Sequence, residues 1–211
     1  MKPFKAALCL LSLVVVLPNS AGAAHRKIEF PSSDADRIIT VDLLPKKKAE
    51  RPAPNRQREA RLQVIAELFT RTNPKLTQKR ARDYAEYLLQ AGEKFGQDPF
   101  VLAAMIVHES TARYDAVSRG GDYGLMQVRW SVHKKRIMRD YPNVKTARDI
   151  LDPKTNILIG TEIFSDYRAA VGTDLRAGLL RYSAGNRKLA NKIFATKDGL
   201  EKAYQKRLNS K

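Results

Sequence analysis

The chain has 211 residues, a formal net charge of +17 and a single cysteine, Cys9. One cysteine cannot form an intramolecular disulfide, and it cannot supply the several thiolates of a structural zinc site. The positive charge favours polyanionic partners such as nucleic acid, anionic lipid or a cell wall whose peptides carry carboxylates. The basic residues are spread along the predicted helices, however, so a nonspecific charged surface is the simpler interpretation.

The first 23 residues have the pattern of a secretory signal peptide. Lys2 and Lys5 precede an apolar run from Ala6 to Leu17, and Ala21-Gly22-Ala23 supplies the small residues for cleavage. An uncleaved membrane anchor is the alternative, but the run is shorter than the roughly 20 apolar residues of a spanning helix. We therefore expect cleavage after Ala23 and a periplasmic or secreted protein, which argues against nucleic acid as a partner.

Residues 24–56 are predicted to be a flexible linker. Prolines interrupt this stretch, and its apolar residues are too scattered to build a core. The segment from Arg37 to Leu44 has an alternative interpretation, in which it pairs as a strand or docks on a partner. Residues 57–211 are long enough to form one domain with its own hydrophobic core.

Apolar periodicity and capping residues predict that this domain is mainly α. Asp98-Pro99 and Asp152-Pro153 each place an N-cap acceptor before a proline at the first helical position. The glycines and polar residues between Asp115 and Val128 predict a loop with a short strand or hairpin. The predicted helices run from Arg58 to Arg71, from the Thr77 cap to about Lys94, from Pro99 to about Ala112, from Pro153 to Tyr167, from the Asp174 cap to Tyr182, and from Gly199 to Leu208.

Glu109 continues an apolar stripe on the third predicted helix. Leu102, Met105 and Ile106 share its face, and burying an unpaired carboxylate among such residues is costly. Three interpretations remain: Glu109 emerges into solvent, pairs with an arginine, or lies in a cleft as a general acid. Burial and the negative end of the helix dipole would both raise its pKa toward the range in which it donates a proton near neutral pH.

The loop after this helix carries polar groups that suit a sugar. Its glycines allow the backbone to approach a ligand closely. Ser118, Met126 and Gln127 would then offer a hydroxyl, a thioether and an amide. A second group of such residues lies between Arg181 and Asn186, where Tyr182 ends a later helix. Met126 and Tyr182 have an alternative interpretation as core residues.

The histidines predict no metal site. His108 adjoins Glu109 in sequence but points about 100° away on the helix, so we interpret it as a packing or surface residue. His133 has no assigned role, and two isolated histidines do not form a metal site. We expect neither a metal nor a cofactor.

Four motifs in one order resemble the catalytic domain of the soluble lytic transglycosylases. They are Glu109-Ser110, Gly124-Leu125-Met126-Gln127, the segment from Asn156 to Gly160, and Tyr182-Ser183-Ala184-Gly185. The four motifs together are far more specific than any one of them, and they extend from Ile106 to Asn186. The resemblance implies a lysozyme-like α fold with a glycine-containing loop or small β element beside the active-site groove.

The resemblance also implies an activity, which is cleavage of the β-1,4 bond between N-acetylmuramic acid and N-acetylglucosamine in peptidoglycan. Glu109 would be the catalytic acid and then the base. The substrate's own N-acetyl group would assist, and the muramyl 6-hydroxyl would attack to release a 1,6-anhydro product. The matching substrate-binding positions are Ser110, Ser118, Met126, Gln127, Tyr182 and Ser183.

Two positions depart from the family pattern. Ser183 replaces the usual asparagine, and its hydroxyl is shorter and reaches less far than an amide. Val128 stands where a proline commonly follows the second motif, Gly124-Leu125-Met126-Gln127. The run from Gly124 to His133 resembles goose-type lysozymes about as well, and these enzymes hydrolyse the same bond.

Two further alternatives are a noncatalytic wall-binding module and an exported protein that binds polyanions. The partners that we expect are peptidoglycan glycan strands, with a secretion apparatus or wall-synthesis proteins as additional possibilities. The chain is expected to act as a monomer.

Overall fold

The computed structural model describes residues 54–210. The predicted signal peptide, the predicted linker up to residue 53 and its Arg37 to Leu44 segment lie outside the described residues. The assignment of these segments therefore stays a prediction. Within residues 54–210, no helix is both long enough and apolar enough to cross a membrane.

The described part of the chain is mainly α, as predicted, and carries one small antiparallel hairpin. Its strands pair Asp122 with Arg129 and Tyr123 with Val128. The elements are α1 (Pro54–Thr72), α2 (Gln78–Phe95), α3 (Pro99–Ser110), β1 (Asp122–Tyr123), β2 (Val128–Arg129), α4 (Trp130–Asp140), a single 3-10 turn (Asp149–Leu151), α5 (Pro153–Ala169), α6 (Leu175–Tyr182) and α7 (Arg187–Asn209).

The predicted helix starts are confirmed where a capping side chain marks them. Thr77 accepts a hydrogen bond from the Arg80 backbone N–H, and Asp98 accepts one from the Phe100 N–H. Asp152 and Asp174 cap α5 and α6 in the same way. Each cap supplies an acceptor to a backbone donor that has no partner inside the helix.

Two helix predictions were wrong in extent, and one helix was missed. The last helix begins at Arg187 and not at Gly199, because Asn186 caps it by accepting from the Leu189 N–H. Gly199 lies inside α7. α1 begins at Pro54, ahead of the predicted Arg58. α4 was not predicted, and it buries only Ile137.

α3 is buried on every side over most of its length. It contacts α1, α2 and α7, and every residue from Phe100 to Ile106 is buried. The predicted apolar stripe of Leu102, Met105 and Ile106 is therefore one face of a helix that is apolar all round. After Ile106 burial becomes partial, and Glu109 lies in this last turn.

Asn156 of α5 fixes the loop between the two strands. Its buried amide donates to the Tyr123 and Ile150 carbonyls, both at 2.8 Å, and accepts from the Met126 N–H at 2.7 Å. A Cβ at Gly124, where φ is +76°, would overlap this amide. The predicted close approach at Gly124 is therefore made to Asn156.

Candidate active site

A cavity of about 360 Å³ lies beside the last turn of α3, which we call the Glu109 cavity. The hairpin forms one part of its wall, and α4, α5, α6 and the start of α7 form the rest. Its lining residues are Glu109, Asp122, Gln127, Val128, Arg129, Val132, His133, Ile163, Tyr167, Arg181, Tyr182, Ser183, Ala184, Asn186 and Leu189.

Glu109 is partly buried at the edge of this cavity, with its carboxyl group unpaired. Burial is the main cause that raises its pKa from 4.5 to about 7, and the negative charge of Asp122 adds to the shift. Within residues 54–210, no hydrogen bond or ion pair engages its carboxyl group. This arrangement favours the cleft interpretation over a fully solvated glutamate or one paired with an arginine.

Asp122 is the second carboxylate of the Glu109 cavity, and its oxygens are already occupied. Oδ1 accepts from Arg129 Nε at 2.6 Å, and Oδ2 accepts from Arg129 Nη2 at 2.9 Å. Oδ2 also accepts from the Ser118 hydroxyl at 2.7 Å. The hydrogen bonds from Arg129 are the main cause that lowers the pKa of Asp122. Asp122 therefore stays ionised next to a carboxyl group that does not.

Neither Ser110 nor Ser118 lines the Glu109 cavity. Ser110 is buried, and its hydroxyl donates to the Ile106 carbonyl at 3.0 Å within α3. The Ser118 hydroxyl, besides donating to Asp122, accepts from the backbone N–H groups of Gly120 and Asp122 at 3.1 Å. Both serines therefore stabilise the backbone behind the cavity wall.

Met126 and Gln127 are neighbours in the loop but face different surroundings. The Met126 side chain is wholly buried and accepts from the Thr161 hydroxyl at 3.7 Å, so it belongs to the core. Gln127 lines the Glu109 cavity. Its Nε2 donates to the Gly124 carbonyl at 2.9 Å and to the Ala116 carbonyl at 3.2 Å, which fixes the direction of the amide.

Tyr182 and Ser183 line the Glu109 cavity from the end of α6. The Tyr182 hydroxyl donates to the Met126 carbonyl at 2.7 Å, and its ring meets Phe164 edge-on. Burial, and then the charge of Glu109, raise the pKa of Tyr182 well above 10, so the hydroxyl keeps its proton. The Ser183 hydroxyl donates its hydrogen bond to the Leu179 carbonyl of α6 at 2.8 Å.

Three residues that had no assigned function in the sequence also line the cavity: His133, Tyr167 and Arg181. His133 Nε2 lies 3.5 Å from the Tyr167 hydroxyl, and burial is the main cause that lowers the pKa of this histidine. Of these three residues, only Arg181 was indicated by the sequence, because it immediately precedes the motif that begins at Tyr182. The position of His133 at the cavity could not be predicted because helix α4, which carries it, was not predicted.

His108 lies outside the Glu109 cavity, as its position on the helix predicted. Its Nε2 is 2.8 Å from the Thr196 hydroxyl and links α3 to α7. Among the described residues, no group of three or more His, Cys, Asp or Glu side chains is arranged to hold a metal ion.

The match to a known family covers the residues that build this cavity. Residues 86–205, more than half of the chain, match the family described as the transglycosylase SLT domain. The chain belongs to the SLT family. The matched range includes Glu109, the hairpin and helices α3 to α6, so the resemblance that was noted in four motifs extends to the whole cavity.

Similar proteins carry the name endo-type membrane-bound lytic murein transglycosylase A. The protein of this name from Cronobacter sakazakii is 30% identical over 95 residues, which are 44% of this chain and 47% of the relative. The Klebsiella pneumoniae protein is 32% identical over 98 residues, again 44% and 47% of the two chains. The Citrobacter koseri protein is 30% identical over 95 residues with the same coverage. The chain thus spans about half the length of these relatives.

Proposed function

We propose that this SLT-family chain is a peptidoglycan lytic transglycosylase in which Glu109 is the general acid and then the general base. The observation that carries the proposal is the unpaired Glu109 carboxyl group, whose pKa of about 7 suits both roles near neutral pH. The proposed substrate is the β-1,4 bond between N-acetylmuramic acid and N-acetylglucosamine. The relatives named lytic murein transglycosylase support this choice.

In the first step, the protonated Glu109 carboxyl group donates its proton to the glycosidic oxygen. The bond from that oxygen to C1 of the muramyl ring breaks, and the leaving sugar departs as a neutral alcohol. The carbonyl oxygen of the substrate's N-acetyl group stabilises the positive charge that develops at C1. Glu109 is left as a carboxylate in a partly buried position, where it is a stronger base than in water.

In the second step, the Glu109 carboxylate accepts the proton of the muramyl 6-hydroxyl group. The oxygen at C6 attacks C1 and closes the 1,6-anhydro ring, so no water is consumed. Glu109 is protonated again at the end of the cycle. One residue with a pKa near the working pH is sufficient for both proton transfers.

The bonding of Asp122 supports a mechanism without a protein nucleophile. A retaining glycosidase of the usual kind needs a second carboxylate that attacks C1. Both oxygens of Asp122 are occupied by Arg129, and Ser118 also donates to one of them. A carboxylate that is held in this way, with a lowered pKa, is a weak nucleophile and a weak base.

Among the sequence-predicted binding residues, Gln127, Tyr182 and Ser183 line the Glu109 cavity and are proposed to contact the sugar. The contact of Ser183 is proposed to involve atoms other than its hydroxyl, which donates to the Leu179 carbonyl. Ser110, Ser118 and Met126 are proposed to act indirectly. They hold the end of α3 and the hairpin loop in place, and their polar atoms are directed to other parts of the protein.

The proposed location is the cell envelope, since the relatives are named as membrane-bound. Secretion into the periplasm through the predicted signal peptide agrees with a wall substrate. Glycan strands are the proposed partner, and contact with a secretion apparatus or with wall-synthesis proteins is a further proposal. We propose that the chain acts as a monomer.

Mass spectrometry of digested peptidoglycan tests the activity. The wild type is expected to release muropeptides that end in a 1,6-anhydro sugar, each lighter by one water than the hydrolysed form. Glu109→Gln should abolish release, whereas Glu93→Gln, an exposed glutamate on α2, should not. Hydrated products would favour the goose-lysozyme alternative, and wall binding without any cleavage would favour a noncatalytic module.

A further inference from the structure

Arg181 occupies an unusual position at the Glu109 cavity. It lies in the last turn of α6, its side chain is exposed, and it lines the same cavity as Glu109. Its guanidinium carbon is 5.9 Å from the centre of the Tyr167 ring, a cation–π contact that restricts its direction. Within residues 54–210, no carboxylate pairs with it.

The other charges of the cavity leave Arg181 as the cation that is open to a ligand. Arg129 is engaged with both oxygens of Asp122, so these two charges offset each other. Glu109 is neutral when it acts as the acid, and burial disfavours the charged form of His133. Among the described residues that line the cavity, Arg181 therefore presents one uncompensated positive charge.

We infer that Arg181 binds a carboxylate of the glycan next to the bond that is cut, and so selects muramyl-containing strands over neutral ones. The inference rests on the proposed function and deepens it. A guanidinium matches a carboxylate through two parallel hydrogen bonds, which gives both charge and direction. A strand of N-acetylglucosamine alone offers the same β-1,4 bond and N-acetyl groups but no carboxylate.

Two parts of peptidoglycan supply such a carboxylate. A strand without peptides carries a free lactyl carboxylate on each muramyl sugar. A strand with stem peptides has that group in an amide bond and carries its carboxylates on the peptide. Both sources have the same chemistry, and oligosaccharides of equal length distinguish them.

The experiment measures binding by calorimetry in the Glu109→Gln background, in which the ligand is not consumed. The ligands are three hexasaccharides: a neutral N-acetylglucosamine oligomer, a peptide-free muramyl oligomer and a peptide-bearing one. Arg181→Gln is compared with Arg181→Lys and with Arg71→Gln. Arg71 is an exposed arginine at the end of α1 and does not line the cavity, so its replacement removes the same charge elsewhere.

Arg181→Gln is expected to weaken binding of at least one muramyl ligand by about 3- to 10-fold, as for a charge-assisted contact at a partly exposed site. Binding of the neutral ligand should change by less than about 2-fold, because that ligand offers Arg181 no carboxylate to bind. Arg181→Lys should recover part of the loss, and Arg71→Gln should leave all three affinities within about 2-fold. A loss with the peptide-free oligomer identifies the lactyl carboxylate, and a loss only with the peptide-bearing oligomer identifies the stem peptide.

An equal loss of affinity for all three ligands in Arg181→Gln would overturn the inference. Arg181 would then support the shape of the cavity without binding a carboxylate. An unchanged affinity for both muramyl ligands would overturn it as well, while the proposed function stands if the wild type still releases anhydro products. Failure of the wild type to cleave the wall would instead contradict the proposed function, and the inference with it.

Discussion

Burial, and then the negative charge of Asp122, raise the pKa of Glu109, while Arg129 keeps Asp122 ionised. The two carboxyl groups therefore differ in protonation near neutral pH. Burial keeps the proton on Glu109, and hydrogen bonds from an arginine remove it from Asp122. General acid catalysis needs Glu109 to carry a proton, and burial together with the negative charge of Asp122 favours that state.

Replacing Asp122 should move the pH profile of activity to lower pH, whereas replacing Arg129 should not. Asp122→Asn removes the negative charge near Glu109, so the pKa of Glu109 falls and the alkaline limb of kcat/KM moves to lower pH. Arg129→Gln leaves the Asp122 charge uncompensated, so that limb stays in place or moves to higher pH. The measurement is the rate of wall clearing between about pH 4 and 9, a range that spans the pKa of Glu109.

Both variants also lose the ion pair that joins the two strands, and each therefore serves as the structural control for the other. A shared loss of activity with no shift in the profile would mean that the pair acts only on the shape of the hairpin. A shift of both profiles in the same direction would contradict the electrostatic account.

Glu109→Gln is expected to stabilise the protein, and only at higher pH. The carboxyl group has a pKa of 4.5 in the unfolded chain and about 7 in the folded one. Unfolding therefore releases a proton between these values, and the stability of the wild type falls as pH rises through this window. The gain in unfolding free energy of the variant should be absent below about pH 4.5 and reach about 3 kcal/mol above pH 7.

Urea unfolding at pH 4 and pH 8 measures this difference. The exposed Glu93→Gln variant is the control and should match the wild type at both pH values. An equal effect of Glu109→Gln at pH 4 and pH 8 would show that the folded state does not hold the proton on this residue.

Gly124→Ala should destabilise the domain by about 3 kcal/mol, since it combines a left-handed backbone with an overlap. The new Cβ would overlap the Asn156 amide that holds the hairpin loop. Gly199→Ala is the matched control. Gly199 lies inside α7 with open space around it, so alanine there should be neutral or stabilise by about 0.5 to 1 kcal/mol.

Thermal unfolding of these two variants gives the comparison directly. If Gly124→Ala were as stable as the wild type, the contact with Asn156 would not fix the loop. The side chain of Gln127, which follows in the same loop, would then need another explanation for its position at the cavity.

Ser183→Ala is expected to change kcat/KM by less than about 2-fold, because the hydroxyl already donates its hydrogen bond to the Leu179 carbonyl. Ser183→Asn restores the residue usual at this position of the family motif and extends an amide from the cavity wall. One new hydrogen bond to the sugar should lower KM by about 2- to 10-fold. A tenfold loss of activity in Ser183→Ala would show that the hydroxyl contacts the substrate.

Several helix starts were predictable from local chemistry. Asp98, Asp152 and Asp174 start helices through side-chain hydrogen bonds that depend only on neighbouring residues. Such signals survive folding because the cap and its donor are adjacent in the chain. α4 escaped prediction because it lies on the surface and has a single buried residue, Ile137.

The chemistry of the site could be predicted in part. A glutamate at the end of an apolar helix already suggested a raised pKa. The roles of Asp122 and Arg129 could not be assigned, because their pairing depends on the register of a hairpin only two residues long on each side. The burial of Met126 could not be decided from the sequence for a similar reason, since only tertiary packing shows that Gly160 leaves space for its side chain.

The protonation state of Glu109 is the central claim, and a direct titration tests it. The protein is labelled with carbon-13 at the glutamate side-chain carboxyl groups, and the Glu109 resonance is assigned by its absence in Glu109→Gln. The chemical shift is then followed as the pH is raised. The account predicts a midpoint at about pH 7. A midpoint near 4.5, the ordinary value for a solvated glutamate, would contradict it.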